Sequence, residues 1–382
     1  MKQIGLLLKA LSLCLVALCL LDANHCVAND GEGKTLKDAY NGKFLIGVAV
    51  NTRQVDGVDS LAQSVIKQHF NAIVAENCMK SGMLQPKQGA FNFSDADKFV
   101  AFGEANNLFV TGHCLVWHSQ APRWFFTDKD GNDVSRDTLI ARMKTHIQTV
   151  VGHFKGKVKG WDVVNEAIED DGSYRQSKFY KIIGEDFIEL ALRFAYEADP
   201  DCELYYNDYN MNKQGKREAV VKMVQNLQKK GIKIDGIGMQ AHCTLTYPTI
   251  ADEEASIEAF CRLGVKVMIT ELDVSVLPNP FEYNTADVNQ SAEYKEKLNP
   301  YGKELPDSAS QALTNRYLDL YHLFLRHKGC ISRVAVWGVS DKGSWKNNFP
   351  VWGRTDYPLL FDRNYLPKPV VKKLIEAGEA SK

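Results

Sequence analysis

Residues 158–166 read VKGWDVVNE, a short and nearly continuous apolar run that closes on an amide and a carboxylate. A strand open to water on one face alternates apolar with polar residues, whereas one covered on both faces, as in a parallel sheet, reads apolar throughout. The run therefore predicts a strand buried on both sides whose C-terminal end presents Asn165 and Glu166. Seven further runs of this kind occur: FLIGVAV at 44–50, FNAIVAE at 70–76, LFVTGHCLVW at 108–117, ELYYND at 203–208, IGMQAH at 237–242, VKVMITELD at 265–273 and RVAVWG at 333–338.

Helical patterns lie between them. Leu139, Met143, Ile147, Val150 and Phe154 keep helical spacing, as do Val220, Val224 and Leu227 ahead of Gly231, and Leu313, Tyr317, Leu320, Tyr321 and Phe324. Gly231 is placed to end its helix. Eight strands alternating with helices, in one composition regime, predict an α/β protein with a single (β/α)₈ TIM barrel. The 382 residues would by length alone suggest two or three domains, but closed barrels run longer than most single units. One irregular stretch, Ser275 to Ser310 with four prolines, predicts an extended loop after the seventh strand, over the end where barrel active sites form.

Composition narrows the function. The chain is 45% hydrophobic and 24% charged, with 46 basic against 47 acidic side chains. That balance lacks the positive excess needed to neutralise a phosphate backbone, so no nucleic-acid partner is expected. Lys2 and Lys9 flank an apolar stretch, with Cys26 and Ala28 forming a small-residue cleavage site. This reads as a signal peptide over 1–28, too short for a stable membrane span, with 29–382 left as an exported, secreted or periplasmic catalytic domain, expected to be a monomer. Six cysteines remain after it; none has CxxC spacing, several are expected to be buried, and their pairing stays open.

The predicted strand ends carry the chemistry. The second ends in Glu76 and Asn77, with Lys80 next; the third supplies His113, Trp117, His118 and Gln120; the fourth Asn165 and Glu166. The sixth ends Gln240, His242, the seventh Glu271, Asp273, and the eighth Trp337, with Trp345 beyond. In a barrel these ends meet at one rim. Glycoside hydrolysis needs two carboxyls, one to protonate the leaving oxygen and one to attack or to activate water, and Glu166 and Glu271 stand on opposing strands. Five of the six tryptophans fall in or after the third and eighth strand ends; indole faces suit the apolar faces of sugar rings. Asn77, Lys80, Gln120, Asn165 and Gln240 offer donors for hydroxyls. Trp161 and Trp352 are assigned to packing, and Asp162 to a buried hydrogen bond. Three rim histidines raise the question of a metal, but Val48, Ala49 and Val50 lack the HxH of metal-dependent barrel hydrolases; no metal or cofactor is expected.

Together GHCLVWHSQ from Gly112, WDVVNEAI from Trp161, NDYN from Asn207, QAH from Gln240, ITELD from Ile269 and VWGVSDKGSW from Val336 resemble the glycoside hydrolase family 10 endo-β-1,4-xylanases, in order, from about Thr35 to Ala377. The resemblance implies a configuration-retaining double displacement on xylan or xylo-oligosaccharides, with Glu166 as acid/base and Glu271 as nucleophile. It implies catalytic support from Asn165, at the 2-hydroxyl of the −1 sugar, and from His242 held by Asp273 against Glu271. His113, Trp117, Gln120, Trp337 and Trp345 would surround the −1 sugar, and Glu76, Asn77 and Lys80 the −2 sugar. Asn207, Tyr209 and Asn210 would also bind substrate, the last two on the aglycone side, and Gln240 would join them. Where many family members follow that lysine with an aromatic, this chain reads Lys80, Ser81, Gly82, which would loosen distal glycone binding. Alternatives are exo-action, an oligosaccharide or mixed-glucan specificity, or a non-catalytic sugar-binding barrel, which would need neither glutamate.

Overall fold

In the computed structural model, which describes residues 33–278, 297–302 and 304–381, nine parallel strands form in chain order. They are β1 (Leu45–Val50), β2 (Ala72–Ala75), β3 (Phe109–Trp117), β4 (Gly160–Asn165), β5 (Glu203–Asp208), β6 (Gly236–Met239), β7 (His242–Thr244), β8 (Lys266–Ser275) and β9 (Ile331–Val336). Neighbours run β6-β5-β4-β3-β2-β1-β9-β8, and β6 pairs in turn with β8, so the sheet closes on itself. With helices between the strands this is the expected (β/α)₈ barrel, and the residues from Thr35 onward form one compact unit.

Burial explains the apolar runs: β2, β4 and β6 are buried at every position, since barrel interior and helical shell cover both faces. The barrel is tightly filled at the β3–β4 seam, where a Cβ on Gly112 would stand 2.2 Å from the Trp161 ring. Only a glycine lets that buried indole lie against the neighbouring strand; Trp161 is a packing residue, as expected. The predicted helical stripes lie in helices Arg136–His153, Gln214–Lys229 and Asp307–Arg326 and are buried; Phe154 caps the first, and Gly231, at φ 67°, follows the second.

Two expectations need correction. The sixth strand does not run to 242. It stops at Met239, the chain turns through Ala241 at φ 60°, and β7 then pairs with the far end of β8, setting His242 opposite Asp273. The irregular segment is also shorter than Ser275 to Ser310, because Ser275 belongs to β8 and the helix from Asp307 takes the far end. Most of it, like the expected signal peptide at 1–28, lies outside the described residues. Among the described residues no helix is long and apolar enough to cross a membrane. Cys261 and Cys330 form a disulfide; Cys78, Cys114, Cys202 and Cys243 are buried thiols, the small hydrophobes expected.

Candidate active site

Parallel register brings the strand ends level. Trp117 stands opposite Asn165, and Asn165 opposite Asn207. Main-chain bonds continue past the ends: Glu166 N–H donates to Asn207 O at 2.9 Å, and Glu271 N–H to Gln240 O at 3.0 Å. Glu166 is thus held to β5, and Glu271 to the residue that follows β6, each by its own backbone.

The two carboxyls share one amide network and differ in everything else. Asn207 Nδ2 donates to Glu271 Oε1 and to Asn165 Oδ1, both at 2.9 Å, while its Oδ1 accepts from Thr270 Oγ1 at 2.7 Å. Gln240 Nε2 lies 3.0 Å from Glu166 Oε1, with Asn165 Nδ2 at 3.3 Å from the same oxygen. Trp117 Nε1 donates to the other oxygen, Oε2, at 2.8 Å. Glu166 is half-buried, whereas Glu271 is only 5% exposed.

Behind Glu271 stands a charged relay. His242 Nε2 lies 3.3 Å from Glu271 Oε2, and its Nδ1 is 3.0 Å from Asp273 Oδ2. Trp345 Nε1 donates to the same Asp273 oxygen at 2.8 Å, and Lys346 Nζ is 3.6 Å from Oδ1. Burial alone would drive the His242 imidazole down; the Asp273 charge and the bonds to Asp273 and Glu271 overcome it and lift the value to about 9. Burial works the other way on Asp273, but Lys346 and His242 hold its carboxyl below the ordinary range. At neutral pH His242 therefore presents an imidazolium N–H to Glu271, a charge-assisted donor.

The expected glycone residues are also linked. Asn77 bridges Glu76 (3.2 Å) and Lys80 (2.9 Å), and the Lys80 ammonium lies 5.0 Å from the Trp117 ring centroid. Burial pushes the Glu76 carboxyl up against the pull of Lys80. His113 bonds the buried Asp162 at 2.9 Å, as Asp162 was expected to be used, and meets Trp337 edge-on at 5.4 Å. Gln120, at φ 54°, is exposed at the end of the same strand's extension. His118 is half-buried, and burial together with Arg175 pushes its imidazole down. On the other side Tyr209 and Asn210 are half-buried; Asn210, Lys213, His242, Tyr247, Lys346 and Phe349 help to line a recess of about 530 Å³. A larger recess, about 770 Å³, opens at the opposite end of the barrel by Leu45, Phe109, Lys159 and Glu203, at the strand starts and away from both glutamates.

Two expectations change. Asn207 is wholly buried with both side-chain atoms bonded, so it supports the carboxylates and is closed to a sugar. Gln240 is as deeply buried as Asn165 and His113, and its amide nitrogen reaches Glu166 and Asn165. Trp352 is 83% exposed and packs no core. Trp124, counted among the rim tryptophans, stacks on Phe125 at 4.2 Å and donates to Gln85 O. Strand-end reading missed Arg175, Thr270 and Lys346. Thr270 and Lys346 adjoin named residues and could have been found by proximity, but Arg175 lies in a loop with no such signal.

A parallel barrel carrying two glutamates on opposing strand ends, walled by indoles and amides, has the design of a glycoside hydrolase that works with a carboxyl pair. Comparison makes this specific: the sequence pattern of glycosyl hydrolase family 10 matches residues 35–377, and the chain belongs to that family. It is 50% identical over 345 residues to endo-1,4-beta-xylanase A of Xylanibacter ruminicola, covering 90% of this chain and 94% of that one. The endo-1,4-beta-xylanase of Geobacillus stearothermophilus is 41% identical, over 89% and 98% of the two chains. Among solved structures, a GH10 endoxylanase retrieved from sugarcane soil metagenome superposes with a TM-score of 0.85 at 42% identity, over 91% of this chain and 100% of that one.

Proposed function

We propose that the chain hydrolyses internal β-1,4-xylosidic bonds of xylan with retention of configuration, Glu271 acting as nucleophile and Glu166 as acid/base. The observation that carries this reading is the unequal setting of the two carboxyls. Glu271 is nearly closed off and lies against His242 and a buried amide, whereas Glu166 is half-open to the cleft and bonded only by neutral donors. In the first step Glu271 attacks the anomeric carbon while Glu166 gives its proton to the leaving oxygen, so that an ester forms as the glycosidic bond breaks. Glu166 then takes a proton from water, whose oxygen displaces Glu271 and restores the β-configuration.

The named xylanases at 50% and 41% identity support the choice of sugar. The remaining polar rim fits the same substrate: Glu76, Asn77 and Lys80 on the glycone side, His113, Trp117, Gln120, Trp337 and Trp345 around the cleaved sugar, Tyr209 and Asn210 beyond it. NMR of the first product, with product analysis on xylan beside cellulose and mixed-linkage glucan, tests the reading. Expected are a β-anomer and a ladder of xylo-oligosaccharides; an α-anomer, or single-unit release from chain ends, would contradict it.

We further read the chain as an exported monomer. The Lys2–Lys9 and Ala28 pattern and the Cys261–Cys330 disulfide, a bond that persists in oxidising compartments, support export. N-terminal sequencing of the mature protein from cell fractions, with its size in solution, tests both statements.

A further inference from the structure

We propose that Arg175 is a positioning residue for Glu166, one that determines how well this glutamate delivers its proton to the departing sugar; the proposal rests on reading Glu166 as the acid/base. Glu166 occupies φ 58°. Side chains other than glycine pay on the order of 1 kcal/mol to sit in that left-handed region, and they stay there only where the surroundings over-determine it.

Three main-chain bonds hold this one. Glu166 N–H donates to Asn207 O at 2.9 Å, and the following N–H, of Ala167, donates to the Tyr206 hydroxyl at 3.0 Å. Both of those partners belong to β5. The third bond comes from the loop itself: the Glu166 carbonyl accepts from Arg175 Nε at 2.8 Å.

Arg175 is in turn rigidly placed. It stands on the return arm of a hairpin in which Arg175 N–H meets Ala167 O at 2.8 Å, Ile168 bridges Tyr174, and Glu169 N–H meets Ser173 O at 2.8 Å. Its Nη2 donates to the Tyr209 hydroxyl at 2.6 Å, and its Nη1 is 3.2 Å from Glu169. A planar fork holds several partners in fixed directions at once, which a lysine ammonium cannot do. The guanidinium therefore ties the backbone under the Glu166 carboxyl to Tyr209. Trp117, Gln240 and Asn165 fix the tip of that carboxyl, and Arg175 fixes its base. Misplacing a reacting group by about 1 Å can cost on the order of 10²-fold in rate.

The test is a series of aryl β-xylobiosides running from good to poor phenol leaving groups, with kcat/KM followed for the full-length wild type, Glu166→Ala, Arg175→Lys and Arg175→Met. Proton delivery matters most for poor leaving groups, so a defect in it steepens the dependence of kcat/KM on the phenol. Glu166→Ala should steepen it strongly. Arg175→Met should steepen it as well, losing about 10- to 100-fold on the poorest substrate and about threefold or less on the best, and Arg175→Lys should show the same pattern in weaker form. A parallel loss across the series, or no loss, would overturn the positioning role while leaving Glu166 in place. If Glu166→Ala itself fails to steepen the series, the acid/base reading falls and this proposal with it. Should Arg175→Met not fold, the slope of Arg175→Lys, with folding checked by circular dichroism, decides by the same criterion.

Discussion

Asn207 Nδ2 lies 2.9 Å from Glu271 Oε1, and Asn207 is wholly buried. The same nitrogen reaches Asn165 on β4, and Asn207 Oδ1 takes the Thr270 hydroxyl, so one carboxamide sets the spacing between the strands that carry the two glutamates. Asn207→Ala would leave three buried polar groups short of a partner. We expect a stability loss of about 1–3 kcal/mol in urea unfolding, together with a fall in kcat/KM that good leaving groups do not relieve, because nucleophile and support are both displaced.

A second prediction concerns pH. The His242 value is raised from 6.5 to about 9 by Asp273 and Glu271 against the pull of burial, so the folded protein holds this proton more tightly than the unfolded chain. The resulting stabilisation is complete below 6.5 and is lost as pH rises through about 9. Its size is on the order of 3 kcal/mol. Urea unfolding of wild type and His242→Gln across this range should show a stability gap that is widest on the acid side and shrinks towards alkaline pH. A gap independent of pH would mean that the imidazole is held by packing alone.

How far the sequence reaches can be judged from particular residues. All eight barrel strands were legible because burial on both faces leaves an apolar run that polar surface cannot imitate, and the strand ends of β3, β4 and β8 carried Trp117, Glu166 and Glu271 to the rim as read. The break at Gln240–Ala241 was not legible, since a positive φ at alanine follows from the tertiary frame and leaves no mark in composition. Asn207 misled for a related reason: an asparagine at a strand end looks like a donor for substrate, and only the register against Asn165 and the position of Glu271 show that its bonds are already used. Arg175 acts across a hairpin on a backbone carbonyl, a relationship that no spacing rule encodes.

The Cys261–Cys330 bond closes a sequence separation of 69 residues, joining the end of the helix Ile250–Cys261 to the start of β9. Both lie at the strand-start end of the barrel, opposite the glutamates. Loop closure on this scale is worth about 4 kcal/mol in the chain-entropy treatment. Cys261→Ser with Cys330→Ser should therefore lower the thermal midpoint by several degrees and leave kcat and KM at 25 °C near wild type. A matching loss of activity at that temperature would show that the bond shapes the rim as well as the unfolded chain.

Trp117 joins two roles that substitution can separate. Its Nε1–H bonds Glu166 Oε2 at 2.8 Å, while its ring carries the Lys80 ammonium at 5.0 Å and lies 6.4 Å from the His113 ring. Trp117→Phe keeps an aromatic face for the sugar and for Lys80 and removes the N–H; Trp117→Ala removes both. A hydrogen bond to a charged group contributes about 1.5–3 kcal/mol, so Trp117→Phe should cost about 10- to 100-fold in kcat with KM little changed. Trp117→Ala should add a rise in KM, because the stacking surface that binds substrate and transition state alike is then gone. If Trp117→Phe instead raised KM as much as Trp117→Ala and spared kcat, the indole would act through contact area alone, and the orientation of Glu166 would rest on Gln240 and Asn165.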